Sequence, residues 1–188
     1  MDTAKYGIRA AAVALAAGGV VAYPTESVYG LGCDPQNRLA CERLFRLKQR
    51  PSTQGVLLIA ANLGQLARYA DLAALPARAR ARIESTWPGP ETWVLPRAEG
   101  VPPWIVGDHA GIALRVTAHR IAAALCRAFG GALVSTSANR HGEAPAREAH
   151  EVRASFGDAI DAIVTGAVGG LDRPTPIRDA VSGAIIRA

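Results

Sequence analysis

Three hydroxyl-rich clusters and a few cations carry the chemical promise of this chain. Thr25-Glu26-Ser27, Ser135-Thr136-Ser137-Ala138-Asn139, and Thr175 with Arg178 are polar groupings close to apolar runs. Lys48, Arg50, Arg115 and Arg187 stand near the ends of strand-like or helix-like stretches. Hydroxyls beside exposed backbone amides can cradle the oxygens of an anion. Lysine and arginine can offset the charge that builds up when anionic groups move. Any one cluster also fits a turn or a cap. Their recurrence at strand ends, where open α/β sheets bind ligands, points to one anion-handling site.

The chemistry available there is limited. No Gly-x-x-x-x-Gly-Lys-Ser/Thr loop, Gly-x-Ser-x-Gly elbow or His-x-x-x-His pair occurs. Glu26 is the single carboxylate between Tyr23 and Cys33, so paired-carboxylate catalysis is not suggested. Cations and hydroxyls without an obvious nucleophile fit catalysis by positioning and electrostatics. Cys33, Cys41 and Cys126 form no Cys-x-x-Cys pair, and with His109, His119, His141 and His150 they show no metal-ligand spacing. No protein-bound metal is expected, and three reduced thiols suit a cytoplasmic protein.

The elements that must position these residues follow from pattern. A helix from the cap Thr3 to Ala17 stops at Gly18-Gly19, and Val20 to Tyr23 reads as a buried strand ended by Pro24. Gly30 and Gly32 then leave bare backbone for a ligand to approach. Asn37 caps a helix that places Leu39, Ala40, Leu44 and Leu47 at helical spacing and ends at Pro51. Its last turn carries Lys48 and Arg50, favoured by the helix dipole and free to project. Val56 to Ala60 is continuous enough for a strand covered on both faces, and Asn62 can cap a further helix. A helix spans Ala77 to Ser85. Trp87-Pro88-Gly89-Pro90 is a rigid bend before a strand, Thr92 to Leu95, and Ala98 to His109 is a loop. Ile112 to Val116 is a strand with Arg115 inside it, either an outward residue on an edge strand or a functional conflict. Thr117 caps a helix to Phe129, and Ala132 to Val134 is a strand. A helix from Ala146 to Phe156 and strands at Ile160 to Val164 and Ala184 to Ile186 complete the series. The alternation predicts one α/β domain over residues 1–188.

Composition bounds the partners. A net charge of +5 and an isoelectric point near 9.6 favour something anionic. Nineteen arginines accompany two lysines, Lys5 and Lys48. Where arginine is the default cation, an internal lysine draws notice as a compact point charge. The Ala-rich stretch after Lys5 and Arg9 is too weakly hydrophobic for a secretory signal and too short for a membrane span. No membrane association is expected.

Tyr23-Pro24-Thr25-Glu26-Ser27-Val28-Tyr29-Gly30-Leu31-Gly32-Cys33-Asp34-Pro35 resembles the signature of the YrdC family. The similarity continues in order through Lys48-Gln49-Arg50, Trp87-Pro88-Gly89-Pro90 with Thr92, Arg115-Val116, Ser135 to Asn139 and the terminal Ile-Arg. It is closest to the short, single-domain bacterial form. The resemblance implies a twisted mixed sheet with flanking helices and a positively charged concave groove. It implies condensation of L-threonine, bicarbonate and ATP into threonylcarbamoyl-adenylate with release of pyrophosphate. A tRNA threonylcarbamoyltransferase complex would then use that product to modify adenosine 37 of tRNA.

Carried over residue by residue, the resemblance makes Lys48 and Arg50 the catalytic and ATP-binding cations. Ser137, Asn139 and Arg187 join them at the nucleotide, and Ser27, Arg115, Ser135 and Thr175 fall in the threonine pocket. Magnesium would arrive with ATP. Ser27 replaces the family's commoner threonine, Ile59 stands where longer members can carry a threonine-contacting histidine, Thr175-Pro176 replaces Ser-Thr, and Arg140-His141 replaces Leu-Ser. An RNA-binding module without catalysis is the competing reading, motivated by the arginines, and weak RNA binding is compatible with either. Against it stands the shortage of aromatics for a stacking platform.

Overall fold

The computed structural model describes residues 7–140 and 142–187. The expected cap Thr3, with Lys5 and His141, lies outside the described residues. The helices are α1 (Ile8–Ala16), α2 (Arg38–Lys48), α3 (Ala77–Thr86), α4 (Pro103–Val106), α5 (Arg120–Phe129) and α6 (Ala149–Phe156). The strands are β1 (Val21–Pro24), β2 (Tyr29–Gly32), β3 (Leu57–Ala60), β4 (Thr92–Pro96), β5 (Gly111–Val116), β6 (Leu133–Ser137), β7 (Ala162–Ile163), β8 (Ile177–Asp179) and β9 (Ile185–Arg187). They form one mixed sheet in the order 7-1-2-6-3-5-4-8-9. The pairs β1/β7, β3/β5 and β4/β8 are parallel and the rest antiparallel.

Alternation along the strands separates two faces. Leu58, Ala60, Ile112, Leu114 and Val134 join the larger core, which includes residues of α2, α3, α4 and α6. Val21, Tyr23, Ile59 and Leu133 face the other way, under Ala11 and Leu15 of α1 and Ala122, Leu125 and Cys126 of α5. Those two helices cover only part of their face. One pleat further along, Leu57, Ala113 and Ser135 lie on the same side and line an open cavity instead. The expectation that β3 is covered on both faces therefore holds at Ile59 and fails at Leu57.

Several expectations change in detail. Pro24 ends the first strand as expected, but from within it: it is the last residue of β1, paired with Tyr29, and the chain turns back as β2. A proline at a strand's last pair need not donate to a continuing ladder. Gly32 allows close packing in this hairpin, since a Cβ there would meet the Val134 carbonyl at 2.4 Å. Asn37 caps α2 as expected, accepting from Ala40 N at 3.1 Å. Asn62 caps a single 3-10 turn, Leu63–Leu66. The loop after Ala98 contains the short α4. His119 caps α5 in place of Thr117, whose hydroxyl accepts from His119 N at 3.1 Å. Helix α6 begins at Ala149, behind a capping box between Glu148 and Glu151.

Residues 164–176 link β7, at one edge of the sheet, to β8 near the other. Hydrogen bonds from side chain and backbone fasten this crossing to the hairpin. Tyr29 OH donates to Gly166 O at 2.7 Å, and Gly169 N donates to Thr25 O at 2.8 Å. Gly169 passes so close that a Cβ would lie 2.4 Å from Glu26 O.

Candidate active site

The loop joining β1 to β2 is closed locally: Thr25 N and Oγ1 both donate to Val28 O, at 3.0 and 2.7 Å. Closure turns Glu26 inward. Its Oε1 accepts from Thr117 Oγ1 at 2.5 Å, and its Oε2 lies 3.3 Å from Arg115 Nη2. Arg115 Nη1 donates to Thr175 Oγ1. Arg115 is no edge residue: β5 lies between β3 and β4, and its side chain is 4% exposed. A buried guanidinium needs a counter-charge, and Glu26 supplies it. Next to this pair the Ser27 hydroxyl is buried without a partner.

The two cations ending α2 part company. Gln49 adopts a left-handed conformation, φ 52°, and separates a lysine pointing into the protein from an arginine at the cavity. Lys48 is 5% exposed, and its ammonium donates to Ser137 O and Asn139 O. Arg50 Nη2 donates to Gly55 O at 2.8 Å, while its Nε is buried without a partner. Arg187, carried by β9, comes close enough to matter electrically. Burial and then the Arg187 charge push the Arg50 pKa down, and burial and then Arg115 push Arg187 down. Burial, followed by the charge of Arg50, lowers Lys48 to about 8.

These parts surround a cavity of about 540 Å³. Ser27, Arg50, Arg115, Ser135, Ser137, Thr175 and Arg187 line it, together with Thr25, Thr136 and apolar residues such as Val94 and Ile112. Lys48 and Asn139 do not; they sit behind the strand end that carries Ser137. Ile59 is fully buried beneath α5 and is also not part of the lining. Gln54, His109, Gly111 and Pro145 line the cavity without having been singled out. For Gln54 the polar run after Pro51 is a usable signal; the others carry none. No aspartate or glutamate is among the described lining residues. Nor do any three His, Cys, Asp or Glu side chains among the described residues form a group able to hold a metal. No helix of the described residues is long and apolar enough to cross a membrane.

A cavity lined by hydroxyls, by one arginine paired with a buried carboxylate, and by two arginines with no carboxylate in the described lining suits a small polar ligand beside an anion. Comparison with known proteins agrees. A threonylcarbamoyl-AMP synthase of Halorhodospira halophila is 58% identical over 185 residues, 98% of this chain and 96% of that protein. P. abyssi Sua5 complexed with L-threonine superposes with a TM-score of 0.85 at 34% identity, over 92% of this chain. The present chain spans 50% of that longer protein. E. coli YciO gives 0.82 at 28% identity, over 96% of this chain and 87% of its own. The family model described as telomere recombination, Sua5/YciO/YrdC, matches residues 13–188. The resemblance carried by the motif at 23–35 is thereby borne out: this chain belongs to the Sua5/YciO/YrdC family.

Proposed function

We propose that the cavity condenses L-threonine, bicarbonate and ATP into threonylcarbamoyl-adenylate and pyrophosphate, supplying the t6A modification of tRNA. The observation that carries this reading is one continuous cavity lined both by Arg115, which is paired with Glu26, and by Arg50 and Arg187, beside which the described lining holds no carboxylate. Threonine occupies the half formed by Ser27, Arg115, Ser135 and Thr175, its carboxylate against Arg115. The nucleotide occupies the half bordered by Arg50, Ser137 and Arg187, with magnesium arriving on the triphosphate as part of the substrate. The lack of lining carboxylates supports that last point, because magnesium takes oxygen ligands and prefers substrate phosphates to an all-protein cage.

The reaction places two anions together. The threonine amine attacks the carbon of bicarbonate, a C–N bond forms, and water departs to leave a carbamate. A carbamate oxygen then attacks the α-phosphorus, the bond to the bridging oxygen breaks, and pyrophosphate leaves with its electron pair. Attack of anion on anion is slow unless fixed positive charge lies near the developing transition state. Arg50 and Arg187 supply it, and holding both reactants in one cavity supplies the rest. The adenylate then passes to a tRNA threonylcarbamoyltransferase complex in the cytoplasm.

Two of the three arginines of α3 are turned to the protein's own carbonyls, which counts against the RNA-binding alternative on that helix. On α3, Arg80 donates to Leu75 O and Ala73 O, and Arg82 donates to Ala180 O and Val181 O. These side chains are engaged in bracing loops. Purified protein given ATP, bicarbonate and threonine should release pyrophosphate only when threonine is present. Release that ignores threonine, or no release, sinks the synthase reading.

A further inference from the structure

Lys48 and Asn139 are the two predicted site residues that the cavity does not reach, and their bonding explains why. Lys48 has three N–H groups and three oxygens around them: Ser137 O at 2.5 Å, Asn139 O at 2.9 Å and Asn139 Oδ1 at 3.3 Å. The same Oδ1 accepts from the Ser137 hydroxyl at 2.6 Å. Asn139 Nδ2 donates to Arg140 O and Glu143 O, each at 2.9 Å. An ammonium has three protons to give and an amide two. Both head groups are therefore saturated by the protein itself.

We infer that Lys48 and Asn139 are positioning residues: together they form a buried bracket that fixes the end of β6, and neither touches the phosphates. The inference rests on the reading of this half of the cavity as the nucleotide site. It assigns the phosphate charge to Arg50 and Arg187, which do line the cavity. It also fixes what Ser137 can do. Its one proton is committed to Asn139, so at the cavity its oxygen can only accept. An acceptor suits a ribose hydroxyl or a base amine and repels a phosphate oxygen. The bracket thus acts on the adenosine part of the ligand.

That assignment separates from direct phosphate contact by counting phosphates. Binding of AMP, ADP and ATP is measured by calorimetry for the wild type, Lys48→Met and Asn139→Ala, with threonine binding measured alongside. The bracket predicts a loss on the order of tenfold, the scale of one broken charged hydrogen bond. The loss should be equal for all three nucleotides, with threonine unchanged. The double variant should be no worse than the more damaged single one, because the two residues act as one unit. A loss that grows from AMP to ATP would show Lys48 on the phosphates and overturn the inference, as would unchanged affinities or additive losses. If Lys48→Met does not fold, the Asn139→Ala series decides alone. A wild type that binds none of the three nucleotides removes the nucleotide reading itself, before any variant is compared.

Discussion

The two halves of the cavity handle positive charge in opposite ways. On the side we assign to threonine, Arg115 is buried against Glu26, and Thr175 holds the other end of its guanidinium. The formal charges of that pair cancel, although the charge of Arg115 still acts on Arg187. On the side we assign to the nucleotide, Arg50 and Arg187 have no carboxylate beside them in the described lining; burial and then Arg187 lower the Arg50 pKa, and burial and then Arg115 lower that of Arg187. A neutral half can hold a zwitterion without trapping it, while a charged half holds a polyanion and stabilises charge as the reaction proceeds. Burial alone does not distinguish a binding cation from a catalytic one; the presence or absence of a fixed counter-charge does.

Substitutions can break this contrast, beginning with the charged half. Arg50→Ala should lower kcat by about a hundredfold or more, the scale of removing one preorganised transition-state donor. Pyrophosphate release under saturating substrates checks it, and a loss confined to the threonine KM would contradict the division. Arg115→Ala should raise the threonine KM far more than the ATP KM. Because it leaves Glu26 buried without its partner, it should also cost about 3–5 kcal/mol of stability, readable from urea unfolding. Equal effects on both substrates would erase the boundary between the halves. Ser27→Ala is the smaller test on the neutral side. Its hydroxyl has no protein partner to lose, so stability should hold while the threonine KM rises by roughly tenfold, one hydrogen bond to the ligand.

The smallest effect is one of pH. The folded-state pKa of Lys48 is lowered from the ordinary 10.5 to about 8. Between those values the unfolded chain still binds the proton that the folded protein has released, so the unfolded state holds more protons and stability rises with pH. Nucleotide binding should fall over the start of the same window, as the ammonium in the bracket loses a proton. Urea midpoints for wild type and Lys48→Met, taken at neutral pH and about two units higher, isolate this contribution. A wild-type gain no larger than the variant's would discard it.

Much of this arrangement is legible in residue order, and the exceptions share a cause. Helix α2 is announced by Asn37 and its periodic leucines, and Arg115 shows itself as a charge inside an apolar run. The β1–β2 hairpin is hidden because Pro24 looks like a stop and Thr25-Glu26-Ser27-Val28 contains no Asn-Gly or Asp-Gly turn signal. Lys48 reads as an exposed helix-end cation because the oxygens that bury it belong to Ser137 and Asn139. Glu26 reads as one polar residue in a motif, since its partners Arg115, near the end of β5, and Thr117, just after it, come from far along the chain. Local pattern reveals which groups are present. Which of them face a ligand depends on partners far along the chain.

The crossing at 164–176 has a consequence for how the protein is made. Its anchors Gly166 and Gly169 grip Tyr29 and Thr25, its far end carries Thr175, and beyond it lies Arg187. A ribosome must therefore deliver nearly the whole chain before the early hairpin meets its partners, a wait characteristic of long-range topologies. Nascent chains stalled earlier hold a sheet lacking β8 and β9, with a groove open at one side. Arg187 itself lines the cavity, so a bulky group attached next to it would crowd whatever the cavity binds.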